Sequence, residues 1–485
     1  MAERCYPVTT FSVYRQMKTG ISSTLLLLVI FFQGIAQKKT KLYDSDLLTK
    51  EFHRGRRDAL REKLPDSSCA VFFAAPEKTR SYDVEYLFKQ DPDFDYLTGL
   101  EETNSVLIVF KESREVEGKD VTEVLFILDQ DPAEERWTGK RMSADSARTM
   151  LGLKLVHSSS EFADYNGISF GKFKQVLFSE KFTDVKDDPE DRGDLASLMK
   201  HFKVKLETSK AKSNTTDLQY IMAGLRETKL PEEIVLMRKV IKMSCDGHKE
   251  VMKALEPGYT EYQAQAIAEY MFKKNGSEHT GYPTISGGSE NSCILHYTTN
   301  RRKLQKGDLL LLDAGAEYHG YSADITRTIP VSGKFTAEQK LIYNIVLDAQ
   351  KAGILLCKVG NNFRDPHEAA QKIIEQRLFE LGIIKQPSDV IKYFFHGTSH
   401  YLGLDVHDAG LYGHFAAGNI ITVEPGIYIP AGSDCDPKWW NIGVRIEDDI
   451  LITSGNPEVL SAGAPKTVEE IELLMKQESV FNLVK

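Results

Sequence analysis

The sequence predicts an α/β N-terminal domain followed by an α+β domain. Between residues 45 and about 215, short apolar runs alternate with polar segments, the pattern of buried strands between helices. From Pro231 onward, long amphipathic helices interleave with hairpins. A chain of 485 residues, 41% of them hydrophobic, is long enough to bury a core in each part.

The first 36 residues read as a separate signal segment. Lys18 precedes the apolar run Leu25 to Phe32, and Gly34, Ile35 and Ala36 follow at the spacing a signal peptidase reads. A bilayer span needs about 20 apolar residues, so the run is too short for a stable anchor. Cleavage after Ala36 is expected, giving an exported (periplasmic or secreted) product; without a working signal the protein is cytoplasmic. Met17 and Lys18 make a better signal start than Met1. Losing Glu3, Arg4, Arg15 and Lys18 takes the net charge from −9 to −11. This acidic balance argues against a nucleic-acid groove, which needs a clustered basic face. Once Cys5 has left with the signal, the scattered Cys69, Cys245, Cys293, Cys357 and Cys435 are expected as mostly buried free thiols, with no CxxC pair.

In the first domain the runs CAVFFAA, SVLIVF, EVLFILD and KQVLFSE are expected as strands separated by helices. The acidic stretch Asp187 to Asp194 reads as a solvated loop, and a helix is expected over roughly 209 to 223. In the second domain Ile234, Met237, Ile241 and Cys245 share one helical face. Thr260 with Gln263, and Thr336 with Gln339, form capping boxes. Asp365-Pro366 and Gly382 bracket a helix whose apolar face is Ala370, Ile373, Ile374, Leu378 and Leu381. Helix, helix, hairpin recurs on both sides of residue 335 or so.

The chemistry lies in four blocks: Asp313 and Asp324 in LLLLDAGAEYHGYSADITRT, His400 in HGTSHYLGLDVHD, Glu424 in ITVEPGIY, and Glu447 in GVRIEDD. Gly315 and Gly320 mark a reversal that sets Asp313 and Asp324 on adjacent antiparallel strands, about 5 Å apart. Two carboxylates that close repel unless a cation lies between them. Glu447 is read as lying inside a strand. Four carboxylates and one imidazole form a hard, oxygen-rich set, which favours two Mn(II) ions, with Co(II) or Fe(II) as substitutes, over a thiolate-bound structural zinc. His396 and His400 have zincin spacing, but Gly397 stands where that motif needs its glutamate.

In these settings the order Asp, Asp, His, Glu, Glu resembles the pita-bread metallopeptidases, and among them the Xaa-Pro aminopeptidases. In the N-terminal half DVEYLFKQDPDFDYLTGL and WTGKR are similar to two further signatures of that family. The resemblance spans roughly residues 50 to 475 and implies an aminopeptidase P N-terminal domain over 45–215 and a pita-bread catalytic domain over 225–475. By position it implies that Asp313 chelates one metal and His400 the other, with Glu424 beside His400 and with Asp324 and Glu447 bridging. It implies metal-assisted hydrolysis of the bond preceding proline in proline-containing peptides, with Glu424 moving the proton and His407 and His296 stabilising the reacting carbonyl. His396, Arg445 and Arg141 are then substrate-binding, and a homo-oligomer (dimer or tetramer) is expected. The sequence departs from the family at Asp95, where an aromatic often stands; Tyr96, on a strand, would face the other way. Two other readings remain open: a prolidase acting on Xaa-Pro dipeptides, and a non-catalytic pita-bread module that binds protein.

Overall fold

The computed structural model describes residues 44–182 and 185–482. The predicted signal segment and Cys5 lie outside the described residues. Residues from 48 to the end of the described chain make one compact unit. Among the described residues, no helix is long and apolar enough to cross a membrane.

The compact unit opens with α1 (Lys50–Lys63) and β1 (Ser68–Phe73), followed by α2 (Pro92–Thr98), β2 (Val106–Val116), β3 (Lys119–Ile127), β4 (Val156–Ser158) and β5 (Gln175–Phe178). Next come α3 (Leu195–Ser209), β6 (Lys212–Asn214) and α4 (Asp217–Arg226). The six strands form one mixed sheet in the order β4-β3-β2-β1-β5-β6. Continuous apolar runs are explained by burial of both faces. Ala70, Phe72, Leu107 and Val109 point into one cluster, whereas Cys69, Val71, Phe73, Val106 and Ile108 point into another. The second cluster is closed by Leu198, Phe202 and Leu206 of α3, and the first runs on without a break into the catalytic core. The two predicted domains therefore share apolar packing.

Two expectations change here, and a third gains a detail. β2 and β3 are joined by a tight hairpin and not by a helix, because Glu117 and Gly118 both adopt positive φ (52° and 70°), the turn that suits strand twist. The helix expected over 209–223 is instead the end of α3, the short strand β6 and the start of α4. Lys210 leaves α3 in the left-handed conformation (φ 62°), and the Asn214 side chain accepts from the amides of Thr216 and Asp217 to start α4. The acidic loop ends on a structural residue: Asp194 caps α3, accepting from Ser197 at 2.7 Å.

The second domain begins with α5 (Pro231–Ala254) and α6 (Glu261–Lys274), then β7 (Ile285–Gly288), β8 (Leu309–Asp313) and β9 (Thr326–Pro330). α7 (Ala337–Leu355) and α8 (Asp365–Glu380) precede β10 (Ile420–Val423), β11 (Gly426–Ile429), β12 (Ile442–Arg445) and β13 (Asp448–Leu451). Both capping boxes form, with Thr260 N–H to Gln263 at 2.8 Å and Thr336 N–H to Gln339 at 2.9 Å. β7, β8 and β9 pair antiparallel, as do β10 with β13 and β11 with β12. The five described cysteines are free; Cys69, Cys245 and Cys357 are buried.

Phe202 meets Phe73, Phe170 and Phe178 edge-on, with ring centroids 5.1 to 5.5 Å apart. Phe202→Ala is expected to cost about 3–5 kcal/mol through the cavity it leaves. Urea denaturation of the variant checks this, and its metal affinity should match the parent's.

Candidate active site

The four acids stand where catalytic strands are interrupted. Asp313 ends β8, and Asp324 lies in the gap between the short strand Tyr321–Ser322 and β9. Glu424 and Pro425 join β10 to β11, and Ile446 and Glu447 join β12 to β13. The predicted pairing of Asp313 with Asp324 is therefore offset: Asp313 lies opposite Thr326, two residues past Asp324. Chain reversal occurs at His319 and Gly320, both with positive φ, whereas Gly315 serves close approach. A Cβ on Gly315 would lie 1.8 Å from the Ala323 carbonyl oxygen, so any side chain there would push the two aspartate segments apart. Glu447, expected inside a strand, sits in a break because the chain changes partners there. Its amide donates to Thr326 O at 3.1 Å, between the β11–β12 and β10–β13 pairings.

These breaks aim the side chains at one point. Asp324, His400 and Glu447 each offer a ligand atom within 4.8 Å of the others. His400 Nε2 lies 3.3 Å from Asp324 Oδ2 and 3.7 Å from Glu424 Oε1. Arg445 Nη2 donates to Asp313 Oδ2 at 2.5 Å, and Thr326 Oγ1 donates to Glu447 Oε2 at 2.6 Å. Burial, reinforced by Asp313, pushes the Asp324 carboxyl well above the usual range; burial and Asp324 do the same to Glu447. Burial and the neighbouring Glu447 push Glu424 up to about 8.

The donor set fits bound cations on two further counts. His400 Nδ1 contacts the Tyr401 carbonyl oxygen at 3.0 Å, which can only accept, so the neutral ring carries its hydrogen there and presents a bare Nε2 to carboxylate oxygens. Lone pair facing lone pair is unfavourable without a cation between them. The Tyr282 hydroxyl lies within hydrogen-bonding reach of both Asp313 and Asp324, the latter at 2.6 Å. One phenolic hydrogen cannot serve two carboxylates at once. Asp313 and Asp324, with His400, Glu424 and Glu447, are the residues that would hold two divalent ions.

The remaining predicted residues divide. The exposed His407 ring lies 4.3 Å from that of His400, edge to face. Burial first, then His400 and His296, lowers its pKa and favours the neutral form. His296 is exposed and lies near enough to His407 and His396 to lower the pKa of both. His396 Nδ1 contacts Gly397 O at 2.7 Å, and its Nε2 lies 2.9 Å from the Tyr428 hydroxyl. Burial pulls its pKa down to about 4. Arg445 is 2% exposed, and its guanidinium is enclosed by Asp313, Thr326 and Tyr428, where it fixes the Asp313 carboxylate. Arg141 bonds to Asp129 O and pairs with Glu134, and none of these contacts reaches the carboxylates.

Sequence reasoning missed Tyr282, Thr326 and Tyr428, whose apolar or β-branched settings carry no chemical signal. It also misread the Asp95 segment. That segment is helix α2, not a strand: Asp91 caps it by accepting from Asp93 and Phe94 amides, with Pro92 in the first turn. Asp95 faces the catalytic hairpin, 3.1 Å from where a Cβ on Gly320 would lie, and buried Tyr96 donates to Leu225 O. From the same helix Asp93 bonds Arg226 at 2.7 Å, and Arg226 in turn pairs with Asp408, the residue after His407. Lys229 Nζ completes the cluster, 2.7 Å from Asp408 Oδ2. Burial opposes the Asp408 charge, but Arg226 and Lys229 outweigh it and hold that carboxyl below its usual range.

Fold and site together define a metallohydrolase with a pita-bread catalytic domain. The chain belongs to metallopeptidase family M24: residues 235–454 match that family, and residues 53–173 match the aminopeptidase P N-terminal domain. It is 37% identical over 448 residues to the Xaa-Pro aminopeptidase of Escherichia coli (strain K12), covering 89% of this chain and 98% of that one. The Haemophilus influenzae Xaa-Pro aminopeptidase is 35% identical, with 88% of this chain and 98% of that one covered. Among solved structures, proline aminopeptidase P II from Yersinia pestis aligns at TM-score 0.81 and 35% identity, over 88% of this chain and 100% of that one.

A carboxyl whose folded-state pKa is raised binds a proton that the unfolded chain has already released. For Glu424 that window runs from its ordinary 4.5 up to about 8. The metal-free protein should therefore lose stability as pH rises through this window. Added divalent cation should flatten the slope, because it competes with those protons. Urea midpoints measured across the window, with chelator and with metal, check both outcomes.

Proposed function

We propose that this protein is a metal-dependent exopeptidase that releases the N-terminal residue from peptides with proline in the second position. The observation that carries this reading is the convergence of Asp313, Asp324, His400, Glu424 and Glu447, flanked by His407, in a chain alike over nearly its whole length to Xaa-Pro aminopeptidases. Bound metal supplies Lewis acidity and makes water a usable nucleophile near neutral pH. Glu424 Oε2 accepts the proton of the attacking water and returns it to the imino nitrogen of the leaving proline. His407, neutral and edge-on to His400, donates to the carbonyl oxygen as charge develops there. Exposed His296 binds the peptide at the rim, and the buried His396 and Tyr428 pair forms a wall of the pocket.

Manganese is the proposed physiological metal, supported by the hard, mainly anionic ligand set. We also propose a homo-oligomer in which the N-terminal domain, through Arg141, approaches a neighbour's substrate. Exposed Trp137 nearby supports an interface there. Export after cleavage behind Ala36 is proposed on the charge and apolar pattern of the first 36 residues.

Purified enzyme should cleave Ala-Pro-Ala and leave a proline-free tripeptide intact. Cleavage confined to Ala-Pro would instead indicate a prolidase, and no cleavage of any of them a binding module. His407→Ala should keep its metal while kcat and kcat/KM fall together by about 100- to 1000-fold. His400→Ala should lose metal as well as rate. Metal analysis beside steady-state kinetics separates the two histidines. N-terminal sequencing of protein from the native host should find Gln37 first, and an intact leader on cytosolic protein would overturn export.

A further inference from the structure

The corner that carries Glu424 has few anchors of its own. Pro425 follows it and has no N–H, so the Glu424 amide is the last donor of β10 before the turn. That amide donates to Thr398 O at 2.9 Å. Two residues back, the Thr422 amide donates to His400 O at 3.0 Å, and Tyr401 bridges Ile421 in antiparallel register. Residues 398–401 thus run as a short ladder beside residues 421–424, and the ladder carries two expected metal ligands. Its open end is Thr398, which is 1% exposed.

At that end a helix side chain takes hold. His367, in the first turn of α8, places Nδ1 2.9 Å from Thr398 Oγ1. The His367 ring packs on Phe394 with centroids 5.3 Å apart, and Phe394 meets His396 edge-on at 5.2 Å. One imidazole therefore braces the segment leading from His396 to His400 through a hydroxyl and through a ring. A buried hydroxyl without a partner is costly, so removing the imidazole gives Thr398 a reason to turn elsewhere.

We infer that His367 is a positioning residue for Glu424, acting through the Thr398 hydroxyl and the backbone bond between Thr398 and Glu424. It touches neither the expected ligands nor the substrate side. Its action is to fix where the proton-carrying carboxylate points, and in that sense the inference rests on the reading of Glu424 given above. Small displacements of a reacting group lower turnover far more than binding.

The test uses the metal-loaded full chain. His367→Leu and Thr398→Val, each close in volume to the residue replaced, should each lower kcat on Ala-Pro-Ala by about ten- to a hundredfold with KM little changed. The double variant should be no worse than the weaker single, because both remove one contact. Thr398→Ser and His367→Asn, which retain a polar atom at the contact, should restore most of the rate. Independently of turnover, amide hydrogen exchange at Glu424 should quicken in Thr398→Val and in His367→Leu. Parental kcat in Thr398→Val, additive losses in the double variant, or unchanged exchange at Glu424 would each overturn the inference. A wild-type enzyme that cleaves no Xaa-Pro peptide would instead overturn the functional reading, while the exchange measurement still decides the role of His367.

Discussion

Four carboxylates buried around one point set the terms for the rest of the catalytic domain. Each would cost several kcal/mol to bury as an unpaired charge, and together they repel. The protein answers with neutral or cationic donors drawn from different elements. Tyr282 reaches the two aspartates, Arg445 fixes Asp313, and Thr326 links Arg445 to Glu447. The donors leave lone pairs over, at His400 Nε2 and on the second carboxylate facing Tyr282. What remains is a deficit of positive charge of the kind divalent cations make good.

A second buried charge cluster carries this geometry into the N-terminal domain. Asp93, Arg226, Asp408 and Lys229 are all nearly inaccessible to solvent, and each charge has an opposite partner. Removing one member of such a cluster leaves an uncompensated charge, which is why these groups behave as a unit. Asp408 is covalently next to His407, so the position of helix α2 in the first domain bears on where that histidine stands. Together with the continuous apolar packing, this makes the N-terminal domain a structural part of the active site as well as a neighbour to it.

Much of this was legible in the sequence, for identifiable reasons. Apolar runs such as SVLIVF become central strands because both faces of their sheet are covered, and Thr260 and Thr336 cap helices as their local patterns require. The five expected ligands converge because a carboxylate at the end of an apolar strand has few other stable partners. The misses share a cause: the information was tertiary. Nothing near Glu447 announces that the chain changes strand partners at that residue, and nothing in GYPTISG places the Tyr282 hydroxyl between two acids 31 and 42 positions away. Arg445 looks like a substrate contact in GVRIEDD, yet only the folded sheet reveals that it is enclosed. For Asp91 to Thr98, the capping Asp and first-turn Pro were local evidence for a helix.

The interruptions that hold the four acids fall two in each half of the catalytic domain: those of Asp313 and Asp324 follow α5 and α6, and those of Glu424 and Glu447 follow α7 and α8. Neither half closes a coordination shell, so the centre is an interface within one chain. Its assembly needs contacts between segments separated by more than a hundred residues, such as Thr326 with Glu447. Contacts of that span form late, after the cost of closing a long loop has been met. A cation at this centre therefore registers a finished domain: a nascent or half-folded chain offers scattered carboxylates, and tight capture arrives only with the last long-range pairing.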